Sequence, residues 1–231
     1  AAVGFYQRAS VLSPGNPRIK AGLAGAQVRN EDPFTAITLF DEAEKEGPIE
    51  PELLADRALA YDLVGDNVTA QVFYKQALQA VRDDETVRRL ALSQAIGGDR
   101  RGMELTLAPL LQKQDKAAWR ARAFALAILG STEEADSIAR SSMPADMANG
   151  ISGYLRFMPK LTAAQQAAAA NLGHFPRAAE VGRDDPRLAL YQRPRAIVAR
   201  AEQSLTPTGK PLGGDRKSSR STRRGNDSKP A

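Results

Sequence analysis

The stretch that decides the fold is AITLFDEAEKEGP, residues 36–48, because its pattern also occurs 34 residues earlier and 34 residues later. The other copies are AVGFYQRASVLSP at residues 2–14 and AQVFYKQALQAVR at residues 70–82. Each copy has a small residue, an aromatic residue four positions on and an alanine three positions after that. The first two copies end in proline, whereas the third has Arg82 there. A fixed period of this length predicts one helical unit stacked on copies of itself.

Outward from these copies, the chain divides into α-helical hairpins. The first unit, residues 17–50, has helices predicted near 17–29 and 34–46. Gly47, followed by proline, is expected to end the second helix in a left-handed cap. Residues 51–84 repeat this plan. The small residues of the motif allow two helices to approach where they cross, and the aromatic residues fill the space between hairpins.

Two further units diverge from the motif. Residues 85–114 keep two apolar helical patterns around a glycine turn, and residues 116–143 do the same. Ser131 with Glu134 predicts a capping box at the start of the last helix. The sequence therefore predicts about four hairpins over residues 17–144.

Helical patterns also flank these hairpins. Residues 1–16 match only the second helix of a repeat, so we expect a chain cut inside a repeat of a longer protein. Residues 145–176 predict two helices that cap the exposed apolar face of the last unit. Thr162 and Gln165 predict a capping box for the second of them.

The remaining residues have a different composition. Residues 177–204 are interpreted as a linker with a short helix over 194–204. Residues 205–231 hold seven basic and two acidic residues, whereas residues 1–204 hold 25 of each. The tail thus carries the whole net charge of +5. Its scarcity of large apolar residues predicts disorder.

The residues needed for catalysis or metal binding are scarce. The chain has no cysteine and a single histidine, His174, which follows a helix stop and is interpreted as a capping or packing residue. Phosphate-binding glycine motifs are absent. The acidic residues 83–85 are explained by the dipole at a helix start. We therefore expect no enzyme, no cofactor and no metal site. No apolar run is long enough to predict a membrane span.

The repeated pattern resembles the tetratricopeptide repeat (TPR) family, whose units have this period and an A-x3-F motif followed by proline. The resemblance implies an all-α fold, an α-α superhelix with terminal capping helices and a disordered basic tail. It also implies that the first helix of each hairpin lines a concave groove. The groove positions that we expect to contact a partner are Arg18, Val28, Leu59, Asp62, Arg89, Ile96, Arg120 and Phe124.

The type of partner follows from these positions. Family members that clamp a carboxylate need lysine and asparagine where this chain has Ala21, Gly25, Ala55 and Leu59, so that mode is not expected. A mixed apolar and basic groove favours an extended or helical peptide, although a solvated surface would have the same composition.

The C-terminal half has a second resemblance. Residues 91–176 resemble bacterial envelope repeat proteins of alphaproteobacterial type. The strongest parts are SMPADMA at residues 142–148, YLRFMP at 154–159 and QQAAAANLGHFP at 165–176. That group carries a SPOR domain, which binds peptidoglycan, beyond a disordered linker; no SPOR domain is present in these residues. Repeat lipoproteins of pilus-assembly loci share the same layout. The resemblance favours the periplasm or cell envelope, and the cytoplasm stays open.

These observations favour a non-catalytic protein–protein interaction scaffold whose partner and oligomeric state are not specified. The alternative is an envelope adaptor for cell-wall, cell-division or pilus machinery. Nucleic-acid or anionic-lipid binding through the tail is the weakest reading, because no aromatic residues lie among its bases to stack on.

Overall fold

The computed structural model describes residues 2–191, so the expectations for a helix over 194–204 and a disordered tail over 205–231 lie outside the described residues. Within them the chain forms eleven α-helices and no strand. The first six helices are α1 (Ala2–Leu12), α2 (Pro17–Arg29), α3 (Pro33–Glu46), α4 (Pro51–Leu63), α5 (Asn67–Ala80) and α6 (Asp84–Ile96). They are followed by α7 (Arg100–Gln112), α8 (Lys116–Ile128), α9 (Thr132–Ser142), α10 (Ala145–Phe157) and α11 (Ala163–Leu172).

The helices pack in sequence order as antiparallel hairpins, which confirms the predicted all-α, repeat-like architecture. α2 packs on α3, α4 on α5, α6 on α7 and α8 on α9. The motif residues lie where the hairpins meet. Six of them are buried: Ala36, Phe40, Ala43, Ala70, Tyr74 and Ala77.

The first helices of the hairpins form the inner layer of this stack. α2 packs on α4, α4 touches α6, and α6 packs closely on α8. Among the described helices, the second helices of successive hairpins do not pack against one another in this way. The stack therefore has an inner face, formed by α2, α4, α6 and α8.

Polar side chains start most of these helices. An aspartate before α3, α5, α6, α7 and α8 accepts a hydrogen bond from a backbone N–H of the first turn, as N-cap residues do. Glycine with positive φ occupies the turns at Gly65, Gly98 and Gly130. Gly47 differs from the prediction, since its φ of 171° is extended and not left-handed. Residues 48–50 then connect α3 to α4, which begins at Pro51.

The predicted capping box at Ser131 is wrong. The Ser131 side chain makes no capping hydrogen bond. Its Oγ instead accepts a hydrogen bond from Arg100 Nη1 at 2.9 Å, and Arg100 Nη2 also pairs with Glu134 at 2.6 Å. The charged guanidinium of the preceding hairpin thus binds both groups that the capping box would have used.

The two C-terminal helices separate from each other. α10 packs on α9 and touches α8, at the end of the stack where the sequence predicted a cap. α11 has a different position, because it packs on α4, α6 and α8. A short 3₁₀ turn at Met158–Lys160 redirects the chain between the two helices. The inner face is therefore partly covered by the chain itself.

Candidate binding site on the inner face

Helix α11 begins at a capping box of the kind that the sequence predicted. Thr162 Oγ1 accepts a hydrogen bond from the Gln165 backbone N–H, and Gln165 Oε1 accepts one from the Thr162 N–H, both at 3.3 Å. The helix ends at Gly173, whose φ of 72° is left-handed. The side chains that it buries are small or uncharged: Ala164, Gln166, Ala167 and Ala169. Alanine allows α11 to approach the backbone of the inner layer closely.

Residues 173–191, which we call the return segment, extend the cover. Gln165 Nε2 donates hydrogen bonds to the carbonyl oxygens of Glu180 and Arg183, at 2.7 and 2.9 Å. Gln165 Oε1 accepts one from the Gly182 N–H at 3.0 Å. One glutamine therefore joins the capping box of α11 to the return segment.

The return segment reaches both ends of the stack. The Phe175 ring lies 4.5 Å from the Tyr154 ring of α10. The Arg187 guanidinium lies 4.0 Å from the centre of the Phe34 ring at the start of α3. His174, which the sequence analysis interpreted as a capping or packing residue, lies with its Nδ1 2.9 Å from Glu31 Oε2, in the turn between α2 and α3.

Two cavities that share Arg89 lie along the first helices of the hairpins. The larger, about 360 Å³, lies between α2, α4, α6 and the end of α5, and its lining includes Arg29, Glu52, Ala55, Val81 and Arg89. The smaller, about 90 Å³, lies between α6, α8 and the end of α11. Arg89 lines both cavities.

The structure brings together three of the eight predicted groove residues. Arg89, Arg120 and Phe124 line the smaller cavity, together with Asn171 of α11. Arg18 lies apart from them, in a cavity of about 610 Å³ near α1, where it pairs with Glu50. The other four are Val28, Leu59, Asp62 and Ile96, and all of them are buried.

Burial of these four residues corrects the picture of an open groove along the whole stack. Val28, Leu59 and Ile96 belong to the same apolar core as Ala164 and Ala167 of α11. Asp62 accepts hydrogen bonds from Asn67 Nδ2 and Ser93 Oγ, both at 2.7 Å, inside the stack. A position in the repeat therefore does not by itself predict that a residue is exposed in a groove.

A buried carboxylate lies in the wall of the larger cavity. Asp56 Oδ2 accepts a hydrogen bond from Arg29 Nη2 at 2.8 Å, and Arg89 Nη1 lies 3.6 Å from its Oδ1. Burial raises the pKa of Asp56, although both arginines act to lower it. Gly25 makes room for this carboxylate, because a Cβ atom there would lie 2.8 Å from Asp56 Oδ2.

Sequence reasoning missed the Arg29–Asp56–Arg89 cluster because its members belong to three different hairpins. One signal was present: Gly22 and Gly25 interrupt a helix, where glycine is unfavourable unless a neighbour approaches closely. Each glycine has such a close neighbour. Gly25 lies against Asp56, and a Cβ atom at Gly22 would lie 2.5 Å from a ring atom of Tyr6.

The described residues hold no group of three or more histidine, cysteine, aspartate or glutamate side chains that could bind a metal ion. None of the helices within residues 2–191 has the length and apolar character that crossing a membrane requires.

Comparison with known proteins identifies no relative. No protein-family model matches the chain, and no curated protein or solved structure matches it either. The class of protein therefore follows from the fold and the site alone. It is a helical-repeat protein whose inner face is partly covered by its own chain.

Proposed function

We propose that this chain is a non-catalytic scaffold of the TPR type, which binds a segment of a partner protein on its inner face. The observation that carries the proposal is the open section between α2, α4 and α6. Arg29 and Arg89 lie there beside apolar Ala55 and Val81. A polypeptide is the ligand that such a surface of charged and apolar side chains suits.

Both kinds of interaction with a peptide are available at this section. Ala55 and Val81 offer apolar area, while Arg29 is largely exposed although it pairs with Asp56. Glu52 is exposed at the rim. Arg89 is already paired with Glu85 and Asp56, so the exposed Arg29 is the cation available to a partner. A guanidinium suits a carboxylate especially well because it donates two parallel hydrogen bonds.

An envelope role is a finer form of the same proposal. It is supported by the resemblance of residues 91–176 to envelope repeat proteins, and it assigns the scaffold to cell-wall or pilus machinery. Peptidoglycan binding would then belong to another domain and not to these residues.

Site-specific photo-crosslinking tests the scaffold function. A photoreactive amino acid replaces Glu52, at the open section, in the protein expressed in its native cells. The control replaces Lys75, which is exposed on α5 in the outer layer. We expect one partner to crosslink from position 52 and not from position 75, and an excess of unlabelled protein to abolish the crosslink.

Two results would contradict the proposal. One is the absence of any specific crosslink from position 52, and the other is equal crosslinking from positions 52 and 75. Either would mean that the open section has no particular role in recognition.

A further inference from the structure

Helix α11 occupies the inner face with an unusually small contact surface. It packs on α4, α6 and α8, which are the first helices of three hairpins. Alanine and glutamine are nevertheless the only side chains that it fully buries. The neighbouring α4 buries Leu59 and Leu63. Burial of a leucine side chain stabilises a contact much more than burial of alanine does, because the effect scales with apolar area. Leu172 is the only large apolar residue of α11 and is only partly buried, so the buried side chains of α11 contribute less apolar area than those of α4.

The packing around α11 is also incomplete. A cavity of about 620 Å³ lies between α11, the end of α4 and the return segment, and is lined by Leu63, Ala164 and Ala168. The cavity of about 90 Å³ lies at the other end of α11, beside Ala170 and Asn171. Both cavities are open to solvent, so α11 and the return segment leave parts of the inner face beside them uncovered.

The second of these cavities contains an unpaired charge. Arg120 is exposed and has no ion-pair partner among residues 2–191. The α11 residue that shares the cavity is Asn171, which is uncharged. Half-buried Phe124 lies beside them. A helix with a carboxylate at the position of Asn171 would form an ion pair with the exposed Arg120, which α11 does not.

We propose that the inner face is a docking site for a helix of a partner protein, that α11 occupies this site in cis, and that the partner helix replaces α11. The partner helix has small residues on its contact face and a carboxylate that pairs with Arg120. This inference rests on the proposed scaffold function and identifies the kind of partner. It also makes α11 and the return segment a built-in competitor, which a partner displaces only when its own contacts are better.

The test uses the full chain and a fluorescent peptide of residues 161–175, LTAAQQAAAANLGHF. Ala167→Asp places a charge at a fully buried position of α11, which we expect to expel the helix. The control is Ala163→Asp, the same substitution at a partly exposed residue of the first turn, where the helix dipole favours an acid. We expect the peptide to bind Ala167→Asp with one-to-one stoichiometry, and at least tenfold more tightly than it binds the wild type or the control. Equal binding to all three proteins would overturn the inference.

A second peptide tests the role of Arg120. The same sequence with Asn171→Glu should bind Ala167→Asp at least threefold more tightly than the unchanged peptide. That gain should disappear when Arg120→Gln is added to the protein. A gain that survives Arg120→Gln would contradict the proposed pairing.

Hydrogen exchange of the wild-type chain keeps the inference testable if Ala167→Asp fails to fold. We expect backbone amides of α11 to exchange at least tenfold faster than those of α6 and α8, because α11 opens while the stack stays folded. If the amides of α11 exchanged at the same rate as those of α6, α11 would open only when the whole stack unfolds. That result would make α11 a permanent part of the core and overturn the inference. The scaffold function would survive that result if the photo-crosslink from Glu52 persisted.

Discussion

At the scale of single residues, Gly25 and Asp56 depend on each other. The Asp56 carboxylate lies over Gly25 and receives Arg29 and Arg89 there, although it is buried. Any side chain at position 25 would push the carboxylate away from its two cations. A buried charge that loses its partners is costly, typically by a few kcal/mol.

We therefore expect Gly25→Ala to destabilise the protein although alanine is the better helix former. Alanine gains ~1 kcal/mol in a helix, and displacement of Asp56 costs ~2–3 kcal/mol, so the net loss is about 1–2 kcal/mol. The matched control is Gly150→Ala in α10, where a Cβ atom meets nothing within 4 Å. Urea unfolding should show that the control stabilises the protein slightly. Equal stabilisation by both variants would contradict this account of Asp56.

The buried Asp62 should make stability depend on pH. Burial raises the pKa of Asp62 from 3.8 to about 7, against the hydrogen bonds from Ser93 and Asn67 that lower it. Around it, Asp66 acts to raise the pKa of Asp62, while Arg89 and Asp56 affect that of the neighbouring Tyr74. A raised pKa in the folded state means that the folded protein holds the proton more tightly than the unfolded chain. The stability that protonated Asp62 contributes is therefore fully present below pH ~4 and is lost as the pH rises to about 7. Above the pKa in the folded state, this group causes no further change with pH.

Asp62→Asn should remove this dependence. An amide can present its oxygen to Asn67 and Ser93 and its NH₂ group on the side where Oδ2 has no partner, so it imitates the protonated acid. Relative to the wild type, the variant should gain up to ~4 kcal/mol between pH 4 and pH 8. Unfolding free energies measured at both pH values test this difference. If the unfolding free energies of the two proteins differed by the same amount at pH 4 and at pH 8, the raised pKa of Asp62 would be contradicted.

At the scale of elements, Gln165 connects three parts of the chain. It completes the capping box of α11 with Thr162 and holds the backbone of Glu180, Gly182 and Arg183. Gln165→Ala removes these hydrogen bonds, and loss of a capping interaction alone costs ~1 kcal/mol. Amides of α11 and the return segment should therefore exchange about five- to tenfold faster, whereas those of α2 to α9 should not change. The control is Gln76→Ala at an exposed position of α5, which should leave all rates unchanged.

How far the sequence predicts each element depends on where its determinants lie. Helices with local signals are predictable: α2 begins at Pro17 and ends at Arg29, as expected, and Thr162 and Gln165 form their capping box. Ser131 carries the same local signal and fails, because Arg100 comes from the preceding hairpin and binds its side chain. Local patterns therefore predict where a helix starts. They do not predict that a charged residue from another hairpin will bind the side chains that would cap it.

At the scale of the whole molecule, the inner face also depends on contacts that the repeated pattern does not predict. The period of 34 residues predicts the stack and the layer to which Arg89, Arg120 and Phe124 belong. It does not predict that α11 packs on that layer, since α11 carries no repeat motif and its alanine-rich face fits many surfaces. Leu59 and Ile96, both predicted to contact a partner, are buried in the same apolar core as residues of α11.

The central claim is that α11 lies on the inner face of the helical stack, and an intramolecular crosslink tests it most directly. The chain has no cysteine, so two cysteines can be introduced without competing thiols. Arg120→Cys and Asn171→Cys place them in the same small cavity, whereas Lys75→Cys with Asn171→Cys pairs α11 with the outer layer. With a short bismaleimide, we predict rapid intramolecular crosslinking of the first pair and none of the second. Failure of the first pair to crosslink in the folded protein, or equal yields for both pairs, would contradict the position of α11.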